Sequence, residues 1–229
     1  MSTITFDRAC VAYDGSVILQ PLSFELSEQR IGIIGSNGSG KSTLVRMING
    51  LIEPTSGAVL YDGLATHSHG KDIRRRVGFI FSDAEAQIVM PRVRDDIAFS
   101  LRRFKLPKQE VNARVDEMLE RFQLGDRAEN SPHTLSGGEK QMLALAAVLV
   151  IEPETIIADE PTTLLDLRNR RRIIQELEGL DQQLIVVTHD LEMLDNFDRV
   201  LCINDSELVY DGPPADAVAF YRDLMKHTP

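Results

Sequence analysis

The chain has 229 residues, 43% of them hydrophobic and 26% charged, and carries a formal net charge of -10. That length fits one domain, or one domain with an inserted lobe, and the apolar share is enough for an ordinary core. The acidic balance argues against a general nucleic-acid binder. No apolar run approaches the roughly 20 residues that cross a bilayer, and the opening "MSTITFDRAC" lacks the basic-then-apolar pattern of a signal peptide. Cys10 and Cys202 have no CxxC or metal spacing and read as reduced packing residues of a cytosolic protein. Any role at a membrane would therefore run through docking on another protein.

In chain order, "TITFDRACVAY" and "SVILQPLSFEL" alternate apolar and polar residues, as antiparallel strands joined by a turn at Asp14-Gly15 do. "RIGIIG" is a short apolar strand entering a glycine loop, and "STLVRMING" is a helix leaving it, with Gly50 near its end. "GAVLYDG" and "RRVGFIF" read as two more strands, with His67 and His69 in a loop between them. Two loop histidines without a carboxylate or cysteine make a poor metal site. The arginine runs at 74–76 and 168–172 read as solvated faces.

From about Ala84 to Ile151 the pattern turns helical. "KQEVNARVDEMLERF" puts Val111, Val115, Met118, Leu119 and Phe122 on one face, and "GGEKQMLALAAVLVI" is strongly apolar. Strands and helices then alternate through "ETIIAD", "LLDLRNRRRIIQELEGL", "QLIVVTHD", "DRVLCIN" and "ELVYDG". The expectation is an α/β fold with a mostly parallel sheet, antiparallel strands at the N-terminus, and a helical lobe inserted over about 84–151 of a single 1–229 domain.

The glycine loop "GSNGSGKS" fits G-x-x-x-x-G-K-[ST] with the strand before it and the helix after it. Gly35, Gly38 and Gly40 allow a backbone that approaches phosphate closely, so the amides of 35–43 (Ser36, Asn37, Ser39 and Thr43 included) can cradle a triphosphate. Lys41 would reach the β- and γ-phosphates and Ser42 would bind Mg²⁺. Asp159 ends the apolar strand "TIIAD" as a second metal ligand. Glu160 follows it, placed to polarise an attacking water. His189 closes "LIVVTHD" at another strand end, where a γ-phosphate contact and the orientation of water or Glu160 are its expected roles.

A second glycine turn, "LSGGEKQ" from Leu135 to Gln141, makes a capping box of Ser136 and Glu139 at a helix start that favours an anion. A capping box alone would be only a well-started helix. Gly137 and Gly138 leave its amides uncovered, however, and the first loop already holds its own triphosphate. This turn therefore serves a nucleotide on another subunit, two copies completing each other's sites about a two-fold axis.

Taken together, "GSNGSGKST", "LSGGEKQ", "IIADEPTTLLD" and "VVTHD" resemble the Walker A, signature, Walker B with D-loop, and switch-histidine motifs of the ABC transporter ATPases, in order across essentially the whole chain. The resemblance implies ATP with Mg²⁺ sandwiched between two ATPase subunits, Asp166 in the D-loop, and Tyr13 stacking on adenine. Within the family, "VGFIFSDAEAQIVMPRVRDDIAFSL" is similar to the energy-coupling-factor importers of vitamins and transition-metal ions, with Gln87 matching their second glutamine. The wording "QIVMP" is nearest the biotin importers. The resemblance further implies a transmembrane coupling subunit, a substrate-capture subunit, no nucleic acid, and a peripheral position on the cytoplasmic side of the membrane. With both half-sites intact, a homodimer is favoured over pairing with a related ATPase.

Several positions depart from the family pattern. Ser82 stands where the Q-loop glutamine is usual, so either it couples more weakly or Gln87 takes part of the load. Leu164 replaces a small D-loop residue and Met142 an arginine. Two other readings stay open: a soluble ABC ATPase outside transport, which the short lobe and acidic charge disfavour, and a weakly hydrolysing nucleotide sensor, which Ser82 motivates.

Overall fold

The structure, a computed structural model, describes residues 1–163 and 165–227. Its elements in order are β1 (Ile4–Tyr13), β2 (Ser16–Leu26), β3 (Arg30–Gly35), α1 (Lys41–Ile48), β4 (Ser56–Tyr61), β5 (Leu64–Ala65), α2 (Thr66–Arg76), β6 (Val77–Ile80), α3 (Ala84–Gln87), α4 (Val93–Leu101), α5 (Lys108–Arg121), α6 (Gly137–Leu149), β7 (Thr155–Asp159), α7 (Leu167–Glu178), β8 (Gln183–Val187), β9 (Arg199–Asn204), β10 (Glu207–Gly212) and α8 (Pro214–His227). They divide into two compact units. One is built from Met1–Val77, Glu154–Glu160 and the chain from Asp181 onward; the other is built from Gly78–Pro153 and Pro161–Leu180.

The first unit holds two sheets. One is antiparallel, in the order β2-β1-β4-β5. Its β1–β2 hairpin turns at Asp14 and Gly15, both at positive φ, with Tyr13 opposite Ser16, so the two-residue turn read from the sequence forms. In the other sheet β9, β3, β8 and β7 run parallel in that order, and β10 closes the β9 edge antiparallel. The parallel strands are buried on both faces, which is why they read as unbroken apolar runs. Helix α1 covers this sheet with Leu44, Met47 and Ile48, all at 0% exposure. Burying each such side chain is worth about 1.5–3 kcal/mol. Cys10 is half-buried and Cys202 buried, and both are free.

Two expectations are corrected in this unit. His67 and His69 lie on α2, not in a loop; the segment has little apolar periodicity, and its only buried large apolar residue is Ile73. Arg74 and Arg76 do not form a solvated face. Arg74 donates to the carbonyls of Asn49 and Gly50 at the end of α1, a cationic cap on a helix C-terminus. Arg76 pairs with Glu154 at 2.7 Å and also with Asp62.

In the second unit α6 is buried at almost every position, from Gln141 through Leu149. That suits a helix apolar on all sides with α4, α5 and α7 packed against it. Helix α5 turns Val115, Met118 and Leu119 inward as its spacing requires, with Phe122 buried just after it. Arg172 on α7 donates to the Phe122 carbonyl at 2.8 Å, so that arginine run too is partly engaged. Among the described residues no helix is long and apolar enough to cross a membrane.

Candidate functional site

Three neighbouring strands of the first unit end on one side: β3 at Gly35, β7 at Asp159 and β8, between them, at Val187. Loops beyond the carboxyl ends of parallel strands are where α/β sheets gather ligands. After β3 the chain turns into α1 through glycines at φ 147° (Gly35), 78° (Gly38) and 100° (Gly40). Space constrains two of them as much as angle. A Cβ on Gly35 would lie 1.8 Å from the Ile203 carbonyl oxygen, and one on Gly40 would lie 2.6 Å from the Leu19 side chain. No side chain caps α1, so its first amides are left for another acceptor. The buried Ser39 hydroxyl has no hydrogen-bond partner among the described residues. An uncapped helix start and an orphaned hydroxyl in a glycine cradle fit a phosphate chain.

Lys41 is folded onto that cradle, donating to the carbonyls of Gly35 at 2.9 Å and Ser36 at 2.7 Å. Burial lowers its pKa, against the pull of Glu160 and Asp159. Ser42 donates to Asp159 Oδ1 at 2.9 Å, and Arg46 reaches Oδ2 at 3.2 Å. Asp159 is 1% exposed, and its burial, with the nearby Glu160 charge, raises the carboxyl pKa against the opposing pull of Ser42 and Arg46. Among the described residues no three His, Cys, Asp or Glu side chains form a metal-binding group. Mg²⁺ needs no such cage; it commonly takes one or two protein oxygens and completes its shell with water and phosphate, so the Ser42–Asp159 pair fits it. Sequence reasoning missed Arg46. Its signal was its place one helical turn after Ser42, on the same face of α1.

Glu160 leaves β7 at φ 54°, and its amide donates to the Val187 carbonyl at 2.9 Å. Left-handed geometry is rare away from glycine. Here it turns the carboxylate so that Oε1 lies 2.8 Å from His189 Nε2. The structure thus brings Lys41, Ser42, Asp159, Glu160 and His189 to one strand-end cluster. Tyr13 ends β1 and stands 72% exposed.

In the second unit Ser136 caps α6, with reciprocal bonds between Ser136 and Glu139. Leu135 just before it is buried. Gly137 and Gly138 play different parts. A Cβ on Gly137 would meet nothing within 4 Å, whereas one on Gly138 would fall 2.2 Å from the Asn169 side chain. Only Gly137 opens its backbone outward; Gly138 admits α7. Asn169 is itself held by Asp166, which caps α7. Gln87 is tied to the backbone leading to Ser82: its oxygen accepts the Phe81 N–H at 3.1 Å and its nitrogen donates to the Phe79 carbonyl at 3.4 Å. Asp83 caps α3, a role the sequence reading did not give it. Leu164 lies outside the described residues.

Residues 19–163 match the family model for ABC transporters. The chain belongs to the ABC transporter family. Among its relatives is the biotin transport ATP-binding protein BioM of Rhizobium etli, 45% identical over 96% of this chain and 98% of that protein. The energy-coupling factor transporter ATP-binding protein EcfA1 of Oceanobacillus iheyensis is 37% identical over 93% of this chain and 79% of that protein. A solved structure of CbiO1 from Clostridium perfringens, part of the ABC transporter complex cbiONQ, superposes with a TM-score of 0.82. It is 30% identical and covers 97% of this chain and 93% of that one. As a member of this family, of the energy-coupling-factor type, the chain is an ATP-binding subunit and an ATPase.

Proposed function

We propose that this ATPase energises a membrane importer by closing with a second ATPase subunit on ATP and opening after hydrolysis. The observation that carries the reading is the division of labour between two glycine turns. The loop of 35–43 has its own lysine, hydroxyl and carboxylate partners, while a Cβ on Gly137 would meet nothing within 4 Å, which leaves the start of α6 open. A turn of that kind is suited to a phosphate brought by another molecule.

In this reading the amides of Gly35, Ser36, Asn37, Gly38, Ser39, Gly40 and Thr43 bind the triphosphate, and Tyr13 stacks on adenine. Lys41 exchanges its bonds to the Gly35 and Ser36 carbonyls for phosphate oxygens. Mg²⁺ would offset charge on the β- and γ-phosphates, held by Ser42 and, directly or through water, by Asp159. Glu160 accepts a proton from the attacking water, and its bond to His189 fixes its orientation. The signature turn of Leu135, Ser136, Gly137, Gly138 and Glu139 serves the partner's nucleotide through its open backbone at Gly137, with Asp166 at the same seam.

The domain reading is a single ATPase domain over 1–229, with a helical subdomain of about 84–151 inserted in its core. Ser82 and Gln87 belong to the region that meets a transmembrane coupling subunit, itself joined to a substrate-capture subunit. The ATPase sits peripherally on the cytoplasmic side, as a homodimer. Similarity to BioM favours biotin as cargo over a transition-metal ion. Co-purification with the native membrane partners, followed by binding assays with labelled biotin and with Co²⁺ or Ni²⁺, tests both points. Saturable biotin binding is expected, and metal binding in its place would overturn the cargo.

A further inference from the structure

Beside the start of α6 the second unit has a hollow of about 160 Å³, walled by Ser82, Ala84, Gly137, Lys140, Gln141 and Leu165 among others. Gln141 is 3% exposed, and its side-chain nitrogen is buried with no hydrogen-bond partner among the described residues. Leaving such a donor unmatched is costly, and folded proteins match nearly all buried polar groups. The next eight residues of the helix, Met142 through Leu149, are all apolar and buried, so an apolar side chain at 141 would suit the packing better. Ser82, whose hydroxyl both donates and accepts, lines the same hollow. A hollow of this size admits water, and a water there has Ser82 and Gln141 as polar partners. Among the described residues α3 and α6 are also joined by the Glu85–Lys140 pair at 3.0 Å, with Glu85 59% exposed. Pairs that open to solvent contribute little.

We infer that Gln141 is a positioning residue for ATP hydrolysis: through water in this hollow its amide N–H holds the Ser82 segment in register with the Gly137 turn. The inference rests on the proposed role of that turn. It gives Ser82 a task its short side chain can perform, because the reach is supplied from α6.

The test is a double-mutant cycle on the full chain, read by phosphate release and by thermal unfolding. Gln141→Met keeps length and removes the donor. It is expected to leave Tm unchanged or higher while kcat falls about tenfold at unchanged KM for ATP, as loss of positioning does. Ser82→Ala is expected to give a similar fall, and the double variant no further one. A Tm lowered by several degrees with kcat intact would make Gln141 merely structural, and losses that multiply in the double variant would remove the link to Ser82. Glu160→Gln, assayed alongside, separates this failure from failure of the site: wild-type hydrolysis by that variant sinks the proposed base and leaves the cycle readable.

Discussion

Glu160 combines an uncommon backbone angle with a direct bond to His189, and its proposed role as base rests on that pairing. Glu160→Gln should lower phosphate release by about 100-fold or more, the scale of a lost general base, while ATP binding persists. Lys41→Ala should instead abolish binding, measured with a fluorescent ATP analogue, because a loop carbonyl pair then replaces a buried cation at the phosphates. These side chains were legible in the sequence because each sits at a fixed offset from a glycine loop or a strand end. Arg46 was not, since the phosphate-loop motif ends at Ser42 and nothing in the pattern asks what balances the buried Asp159 charge.

At the scale of elements, α4 depends on Asp96, which is 5% exposed and accepts the N–H groups of Val89 and Met90, both at 2.9 Å. Burial raises its carboxyl pKa, and those two bonds lower it only in part. Its contribution therefore favours folding fully below the ordinary value of 3.8 and is lost as pH rises through the raised value. Asp96→Asn keeps the acceptor oxygen and removes the charge. By thermal unfolding it should exceed wild type at neutral pH, with the gain shrinking toward pH 4. Asp96→Ala leaves the Val89 and Met90 N–H groups without this acceptor and should cost about 1 kcal/mol. Gly138→Ala forces a Cβ against Asn169 and should destabilise by about 1–3 kcal/mol, whereas Gly137→Ala should leave the melting temperature near wild type. The two glycines looked equivalent as letters; only the approach of α7 separates them. The hairpin at Asp14-Gly15 and the apolar parallel strands were readable because their signals are local. Helix α2 was not, since what holds it includes Arg74 on the α1 carbonyls, a contact between segments about 25 residues apart.

For the whole molecule, the claim is that one chain cannot complete its own hydrolytic site. It predicts ATPase activity that rises faster than linearly with protein concentration. It also predicts dominant inhibition when a chain altered at the Gly137 turn is mixed with wild type, because each damaged molecule leaves its partner's site incomplete. The most direct measurement is sedimentation of Glu160→Gln protein with Mg²⁺ and ATP. A shift from monomer to dimer that requires ATP and reverses on its removal is the predicted result. A preparation that binds ATP yet sediments as a monomer at high concentration, even beside its transmembrane partners, would contradict the account.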